Sequence, residues 1–185
     1  HMADPQGVLI VAERSDTGIA PITAELAGAG AQLAKALGQD LSAVVCSDSA
    51  SLLGLAQAVG RLGVKRVFVA EHAALAGFQI EAHLAALEQV IKQANPRVVL
   101  LGKTVQGRDL GPRLAFRLGC GLAQDCVEIG WDQGRNALQA VRPVYGGASQ
   151  ARVLVVTSPA FAALRPKAFE PAPETAGATA EVVKV

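Results

Sequence analysis

Four short apolar runs alternate with helical patterns in the first half of the chain, and this alternation constrains the fold more than any other feature. The runs begin at Gly7, Leu41, Val64 and Arg97, and polar and apolar residues do not alternate within them. Such runs are typical of strands that are buried on both faces, as in a parallel sheet. The order strand, helix, strand predicts βαβ units with right-handed crossovers.

Helices are predicted between the runs because apolar residues recur there at helical spacing. The three stripes are Ile22, Leu26, Leu33 and Leu37, then Leu52, Leu55, Ala56, Val59 and Leu62, then Ile80, Leu84, Leu87 and Ile91. Gly38 and Gly63 stand where helix C-caps are expected, and Asn95–Pro96 ends the third helix.

The pattern changes in the second half of the chain. Two extended segments flank the turn-rich "DQGRN" and predict a hairpin, and residues 151–157 predict another buried strand. Residues 7–165 are therefore predicted to form a single α/β domain. It has three layers and a doubly wound, mostly parallel sheet, with an added antiparallel strand or hairpin. Residues 166–185 are rich in proline and small residues, which predicts a linker or tail that is mobile unless it docks.

Composition excludes two classes of partner. The chain has 185 residues and a net charge of +1 without a basic block, which argues against nucleic acid as the main partner. No apolar run reaches the roughly 18 residues that cross a membrane, so no membrane insertion is expected. The three cysteines, Cys46, Cys120 and Cys126, are an odd number without metal-ligand spacing. They predict a reducing cytoplasm and buried, inert thiols rather than a redox pair.

The stretch "GKTVQGRDLGPRLA" has the two glycines of a phosphate-binding loop, Gly102 and Gly107. A Walker loop would continue with Lys and Ser/Thr, but here Arg108 and Asp109 follow, and an aspartate would repel phosphate. We instead predict Asp109 as the N-cap of a helix that begins at Leu110. An anion site of another type at this helix N-terminus stays open. No Gly-x-Gly-x-x-Gly follows the first strand.

A second candidate site lies between two extended segments near the end of the domain. It consists of Arg142, Tyr145, Gly146 and Gly147. It reads either as a glycine turn with a tyrosine at the sheet edge or as a surface loop for a partner or cofactor edge. His72 and His83 are isolated in the sequence. The sequence also has no Ser-His-Asp arrangement, no cluster of metal ligands and no pair of carboxylates with an evident catalytic purpose. The residues alone therefore predict no catalytic site and no enzyme activity.

Three long runs resemble one known family. "VLIVAE", "VLLGKTVQGRDLGPRLAFRLGCGLAQDC" and "RPVYGGASQA…RPKAFEP" are similar to the N-terminal domain of the electron transfer flavoprotein alpha subunit. The family pattern at these places reads "LLG-T--GRDL-PRLA-RL--GL--D", "RP-YGG" and "RPGAF". The match covers residues 7 to about 170. Lys167 departs from it, since the family often has glycine there. Family members continue into a C-terminal FAD-binding domain, and this chain ends where that domain should begin.

The resemblance implies a Rossmann-like fold, of the adenine nucleotide alpha hydrolase type. It implies a heterodimer with the electron transfer flavoprotein beta subunit. That heterodimer carries electrons from flavin dehydrogenases, such as the acyl-CoA dehydrogenases of fatty acid beta-oxidation, to a membrane quinone reductase. FAD would bind mainly to the second domain, so no cofactor is expected in this chain. The chain would be a scaffold in the bacterial cytoplasm.

On the same resemblance, Gly107, Arg108 and Asp109 mark a helix N-terminus that shapes the fold and a contact surface. The tyrosine–glycine site with Arg142 would contact the beta subunit or the flavin domain. Two alternatives stay open. A stand-alone nucleotide-binding domain of the universal-stress type predicts bound AMP or ATP, although its glycine-rich loop is not evident. A pure interaction module without redox chemistry predicts no ligand and no beta partner.

Overall fold

A computed structural model describes residues 4–185 and contains twelve strands and four α-helices in that range. The strands are β1 (Val8–Val11), β2 (Arg14–Ser15), β3 (Gly18–Ile19), β4 (Leu41–Ser47), β5 (Arg66–Glu71), β6 (Val98–Gly102), β7 (Leu122–Cys126), β8 (Glu128–Asp132), β9 (Ala137–Val144), β10 (Ser149–Val155), β11 (Ala160–Leu164) and β12 (Glu181–Lys184). The helices are α1 (Pro21–Leu37), α2 (Ser49–Gly60), α3 (Ile80–Ala94) and α4 (Val105–Arg117).

Seven of the strands form a central parallel sheet in the order β12-β5-β4-β1-β6-β11-β7. Successive residues of a strand point to opposite faces, and β1 shows this directly. Val8 and Ile10 pack with α1 and α2 on one face, whereas Leu9 packs with α3 and α4 on the other. The predicted three-layer, doubly wound α/β fold is confirmed.

The antiparallel part of the fold is a separate three-stranded sheet, β10-β9-β8. It contains the predicted hairpin around "DQGRN", and its inner residues Leu138 and Ala140 join the same core as α1. The strand predicted at residues 151–157 is present as β10 (Ser149–Val155), but the prediction that it is buried was wrong. β10 has alternating, one-sided burial at the edge of this sheet, whereas the next strand, β11, is fully buried between β6 and β7, with the sequence "AFAAL".

The helix ends follow the predicted backbone chemistry in two cases of three. Gly38 and Asn95 are left-handed C-caps, with φ of 64° and 44°. Gly63 is not a C-cap, because α2 already ends at Gly60 and Arg61 takes the cap position. Gly63 lies in the turn that follows, with φ of 84°.

Residues 166–180, which we call the strap, cross the outer surface of α1 and α2 and lead to β12. The Ala172 N–H donates to Ala24 O at 2.8 Å, and the Thr175 N–H donates to Arg61 O at 2.9 Å. At Gly28 the strap comes so close that a Cβ atom would lie 2.2 Å from Glu170 O. The boundary at residue 165 stays a prediction, but residues 166–185 lie against the domain and complete one edge of its sheet.

Lys167, the residue that departs from the family glycine, adopts the backbone conformation of a glycine. Its φ is +68°, and its N–H donates to the buried Glu25 carboxylate at 2.8 Å. A side chain in the left-handed region costs roughly 1 kcal/mol.

We therefore expect Lys167→Gly to raise the free energy of unfolding by about 0.5 kcal/mol, since glycine relieves the strain but loses more chain entropy on folding. Urea denaturation measures the difference. Lys167→Ala is the control, because it removes the charge and retains Cβ. Equal stabilities of the two variants would contradict the assignment to backbone strain.

Candidate functional site

The strand order reverses beside β1, so the carboxyl ends of β1, β4 and β6 border a crevice of the kind where α/β proteins bind ligands. Its floor is apolar and comprises Val11, Val45, Leu55, Leu87, Leu101 and Leu110. The cavity volume is about 40 Å³. That is room for a few water molecules, whereas ligand pockets usually measure roughly 300–1,000 Å³. The crevice has no room for a nucleotide in this conformation.

The rim of the crevice is held closed by its own side chains. The Thr104 hydroxyl donates to the Glu13 carboxylate at 2.7 Å, and Thr23 Oγ1 bonds both the N–H and the C=O of Glu13 at 3.0 Å. Burial raises the pKa of Glu13, and the bond from Thr104 opposes that shift. Across the crevice, Arg14 Nη1 donates to Ser47 Oγ at 3.2 Å and to Ala76 O at 2.8 Å.

The motif residues Gly107, Arg108 and Asp109 lie within α4 rather than before it. The prediction that Asp109 caps a helix beginning at Leu110 was wrong. The helix begins at Val105, and the N-cap is Thr104, whose hydroxyl accepts the Gly107 N–H at 3.1 Å. Thr104 can take the N-cap position because threonine, like aspartate, is a favoured N-cap residue. Arg108 and Asp109 are exposed one turn further on.

Gly107 serves close packing. A Cβ atom at this position would lie 1.7 Å from Gly102 O, at the end of β6. The helix can therefore approach the strand only with glycine here. Pro112 lies in the interior of α4, on its exposed face.

The tip of the β9–β10 hairpin carries Tyr145, Gly146 and Gly147, which are all exposed. All three have positive φ, of 52°, 65° and 93°. Tyrosine is rare in this conformation, and 87% of Tyr145 is exposed to solvent. The hairpin thus presents an aromatic ring that has no ring or cation partner among residues 4–185, on a strained backbone, and this combination is common at binding sites.

Arg142 lies on β9 of the same hairpin but is half-buried. Its Nε atom is buried and has no hydrogen-bond partner among residues 4–185. Its positive charge lowers the pKa of Cys126, although burial dominates and raises that pKa to about 12. An unsatisfied guanidinium nitrogen is a costly group to keep inside a fold, and since this one is buried it can meet a partner outside the chain only if the hairpin shifts.

A charged cluster around Asp125 was not predicted from the sequence. Arg165 donates from Nε to Asp125 Oδ1 at 2.9 Å and from Nη2 to Oδ2 at 2.7 Å. Lys103 Nζ lies 3.1 Å from the same Oδ2. The two bonds from Arg165, followed by Lys103, lower the pKa of Asp125. A signal was present, since the aspartate and the arginine both belong to the family pattern, in "GL--D" and "RPGAF".

His83 and Cys46 line the crevice, whereas His72, Cys120 and Cys126 do not. His72 is exposed, whereas His83 is half-buried beside Phe78, at 5.1 Å between ring centroids, and burial lowers its pKa. All three cysteines are free, and burial raises the pKa of each thiol. Among residues 4–185 no cluster of three or more His, Cys, Asp or Glu could hold a metal ion. No helix in this range is long and apolar enough to span a membrane.

Comparison with known proteins gives one consistent family. The model of the electron transfer flavoprotein domain matches residues 8–185. The chain is 32% identical to the electron transfer flavoprotein subunit alpha of Clostridium acetobutylicum over 94% of its length, and 33% identical to protein FixB of Clostridium saccharobutylicum over 100%. It is also 32% identical, over 91% of its length, to subunit LctC of the lactate dehydrogenase (NAD(+),ferredoxin) of Acetobacterium woodii.

The chain spans about half the length of the curated relatives it matches. It covers 51% of the Clostridium acetobutylicum subunit, 54% of the Clostridium saccharobutylicum protein and 40% of LctC.

Proposed function

Because the chain belongs to the electron transfer flavoprotein domain family, we propose that it is the scaffold and subunit-docking domain of an electron transfer flavoprotein alpha subunit. On this proposal, residues 7–165 form the docking domain and residues 166–185 lead toward an FAD-binding domain. FAD binds mainly to that second domain, and the chain itself contributes no catalytic residue. Relatives named as alpha subunits support this assignment.

The complete protein would pair with an electron transfer flavoprotein beta subunit in the bacterial cytoplasm. It would carry electrons from flavin dehydrogenases, such as the acyl-CoA dehydrogenases of fatty acid beta-oxidation, to a membrane quinone reductase. A carrier that relays electrons between two enzymes needs surfaces that hold its cofactor domain and its partners, rather than acid–base residues of its own.

The hairpin tip at Tyr145 is the observation that carries the docking role. It combines an exposed aromatic ring with a left-handed backbone, and two glycines beside it allow a partner to approach closely. Tyrosine and arginine are the residues most enriched among the binding hot spots of protein interfaces. Arg142 lies on the same hairpin, and the part of this half-buried residue that remains exposed would contact the beta subunit or the flavin domain.

We expect Tyr145→Ala with Arg142→Ala to weaken binding of the beta subunit at least about tenfold, the scale of a lost hot spot. Calorimetric titration of the chain with the purified beta subunit measures the affinity.

Phe116→Ala with Arg152→Ala is the matched control, since Phe116 is 86% exposed on α4 and Arg152 is exposed on β10. The control should bind as the unchanged chain does. If the control lost affinity while the Tyr145 and Arg142 variant retained it, the docking surface would be elsewhere.

A further inference from the structure

An open groove lies beside the closed crevice, at the carboxyl ends of β6, β7 and β11. We call it the cationic groove, and it is lined by Lys103, Thr104, Val105, Arg108, Asp125, Arg165 and Pro166. Its volume is about 430 Å³, against about 40 Å³ for the crevice. The cationic groove is therefore large enough for a small ligand, which the crevice is not.

Three cationic side chains from separate segments converge on this groove. Lys103 follows β6, Arg108 lies on α4 and Arg165 follows β11. Asp125 is the one carboxylate in the lining. Glu13 lines the crevice instead, and its carboxylate accepts the hydrogen bond from the Thr104 hydroxyl at 2.7 Å.

The charges in the groove do not balance. Lys103 and Arg165 both contact the same oxygen of Asp125, so a single negative charge is shared between two cations. Arg108 has no ion pair or hydrogen bond from its side chain to any of residues 4–185 that the structure describes. Two positive charges are left over, which is the charge that a phosphate dianion would neutralise.

The geometry also leaves donors for such a ligand. Two hydrogen bonds from Arg165 already hold the Asp125 carboxylate in place, so Lys103 is not needed to fix that carboxylate. A lysine ammonium has three donors and one of them faces Asp125, while the guanidinium of Arg108 is unused. Two like charges held on one oxygen repel each other, and an added anion relieves that repulsion.

We propose that the cationic groove binds a phosphate dianion, either as inorganic phosphate or as the phosphate group of a small phosphomonoester. Lys103 and Arg108 donate to it, and Arg165 is a positioning residue that is held by Asp125. This site is separate from the hairpin tip at Tyr145 and does not depend on the docking role.

The test is titration of the purified chain with inorganic phosphate at constant ionic strength, followed by ³¹P NMR and by amide shifts. We expect saturable binding with a dissociation constant of about 1 mM or below, as two charge-assisted bonds would give. Arg108→Gln should weaken it about tenfold. Glycerol phosphate in a parallel titration separates the two sources, because a phosphomonoester site binds it more tightly than phosphate.

Arg113→Gln is the matched control, since it removes the same charge from the same helix outside the groove. It should change the dissociation constant less than twofold. The proposal would be overturned if phosphate binding did not saturate at concentrations up to 20-fold above the expected dissociation constant. It would also be overturned if the Arg108 and Arg113 variants lost the same affinity for phosphate. Equal losses of affinity would mean that phosphate binding depends on the net charge of the chain rather than on a specific site.

Discussion

Replacing Gly107 by alanine is expected to lower the free energy of unfolding by about 3 kcal/mol or more. The added Cβ would lie 1.7 Å from Gly102 O and 3.0 Å from Gly102 C. Both are main-chain atoms at the end of β6, whose residues pair with β1 and β11, so the strand cannot move aside without loss of its ladder. The clash would have to be relieved by moving α4 off the sheet, which would pull its own Leu110 and Leu114 out of the core that they share with Leu101.

Urea denaturation followed by circular dichroism measures this effect. The matched control is Gly54→Ala in α2, where a Cβ atom would meet nothing within 4 Å. That change should stabilise the chain by about 0.5–1 kcal/mol, since alanine is the better helix former. If both variants were as stable as the unchanged chain, α4 would not pack on β6 as described.

Replacing Asp125 by asparagine has the second largest expected effect, a loss of about 2–3 kcal/mol at neutral pH. The side chain is only 13% exposed and is contacted by both Lys103 and Arg165. Asparagine retains the shape but removes the charge, so two cations are left side by side. Asp40→Asn is the control, because its 2.8 Å pair with Lys65 is more than half exposed and should contribute at most about 1 kcal/mol.

The same carboxylate predicts how stability depends on pH. The folded-state pKa of Asp125 lies below the unfolded value, which is about 3.9. Its contribution is therefore complete above about pH 4 and is lost as pH falls through the folded-state pKa. The difference in unfolding free energy between the unchanged chain and Asp125→Asn should shrink on acidification. A difference that stayed constant from pH 7 to pH 2 would contradict the assigned ion pairs.

The helices and strands with a clear hydrophobic periodicity or a long apolar run were predictable. The apolar stripe from Ile80 to Ile91 predicted α3, and the runs at Leu41 and Arg97 predicted central strands. β11 was not predictable in the same way, because "AFAAL" is short and alanine-rich, and alanine has a low strand propensity. Its assignment depends on contacts with β6 and β7 that no local pattern encodes.

The site was less predictable than the fold. Thr104 and Asp109 are both good N-cap residues, and only the position of α4 against Gly102 decides between them. Asp125 and Arg165 are 40 residues apart in sequence, and they meet because β7 and β11 are neighbours in the sheet. Tyr145 could be identified beside its two glycines, but its exposure and its left-handed backbone are properties of the folded hairpin.

The strap has a consequence for the order in which the molecule assembles. Glu181 meets Arg66 across 115 residues of sequence, and the strap between β11 and β12 lies on a surface that α1 and α2 build together. That surface does not exist until both helices have packed on the sheet, so we expect the strap to dock last in folding. The strap also follows both helices in the sequence, so it is synthesised after the surface on which it docks. The order of synthesis therefore matches the order of assembly at this edge of the sheet, and docking of the strap requires no rearrangement of the residues that precede it.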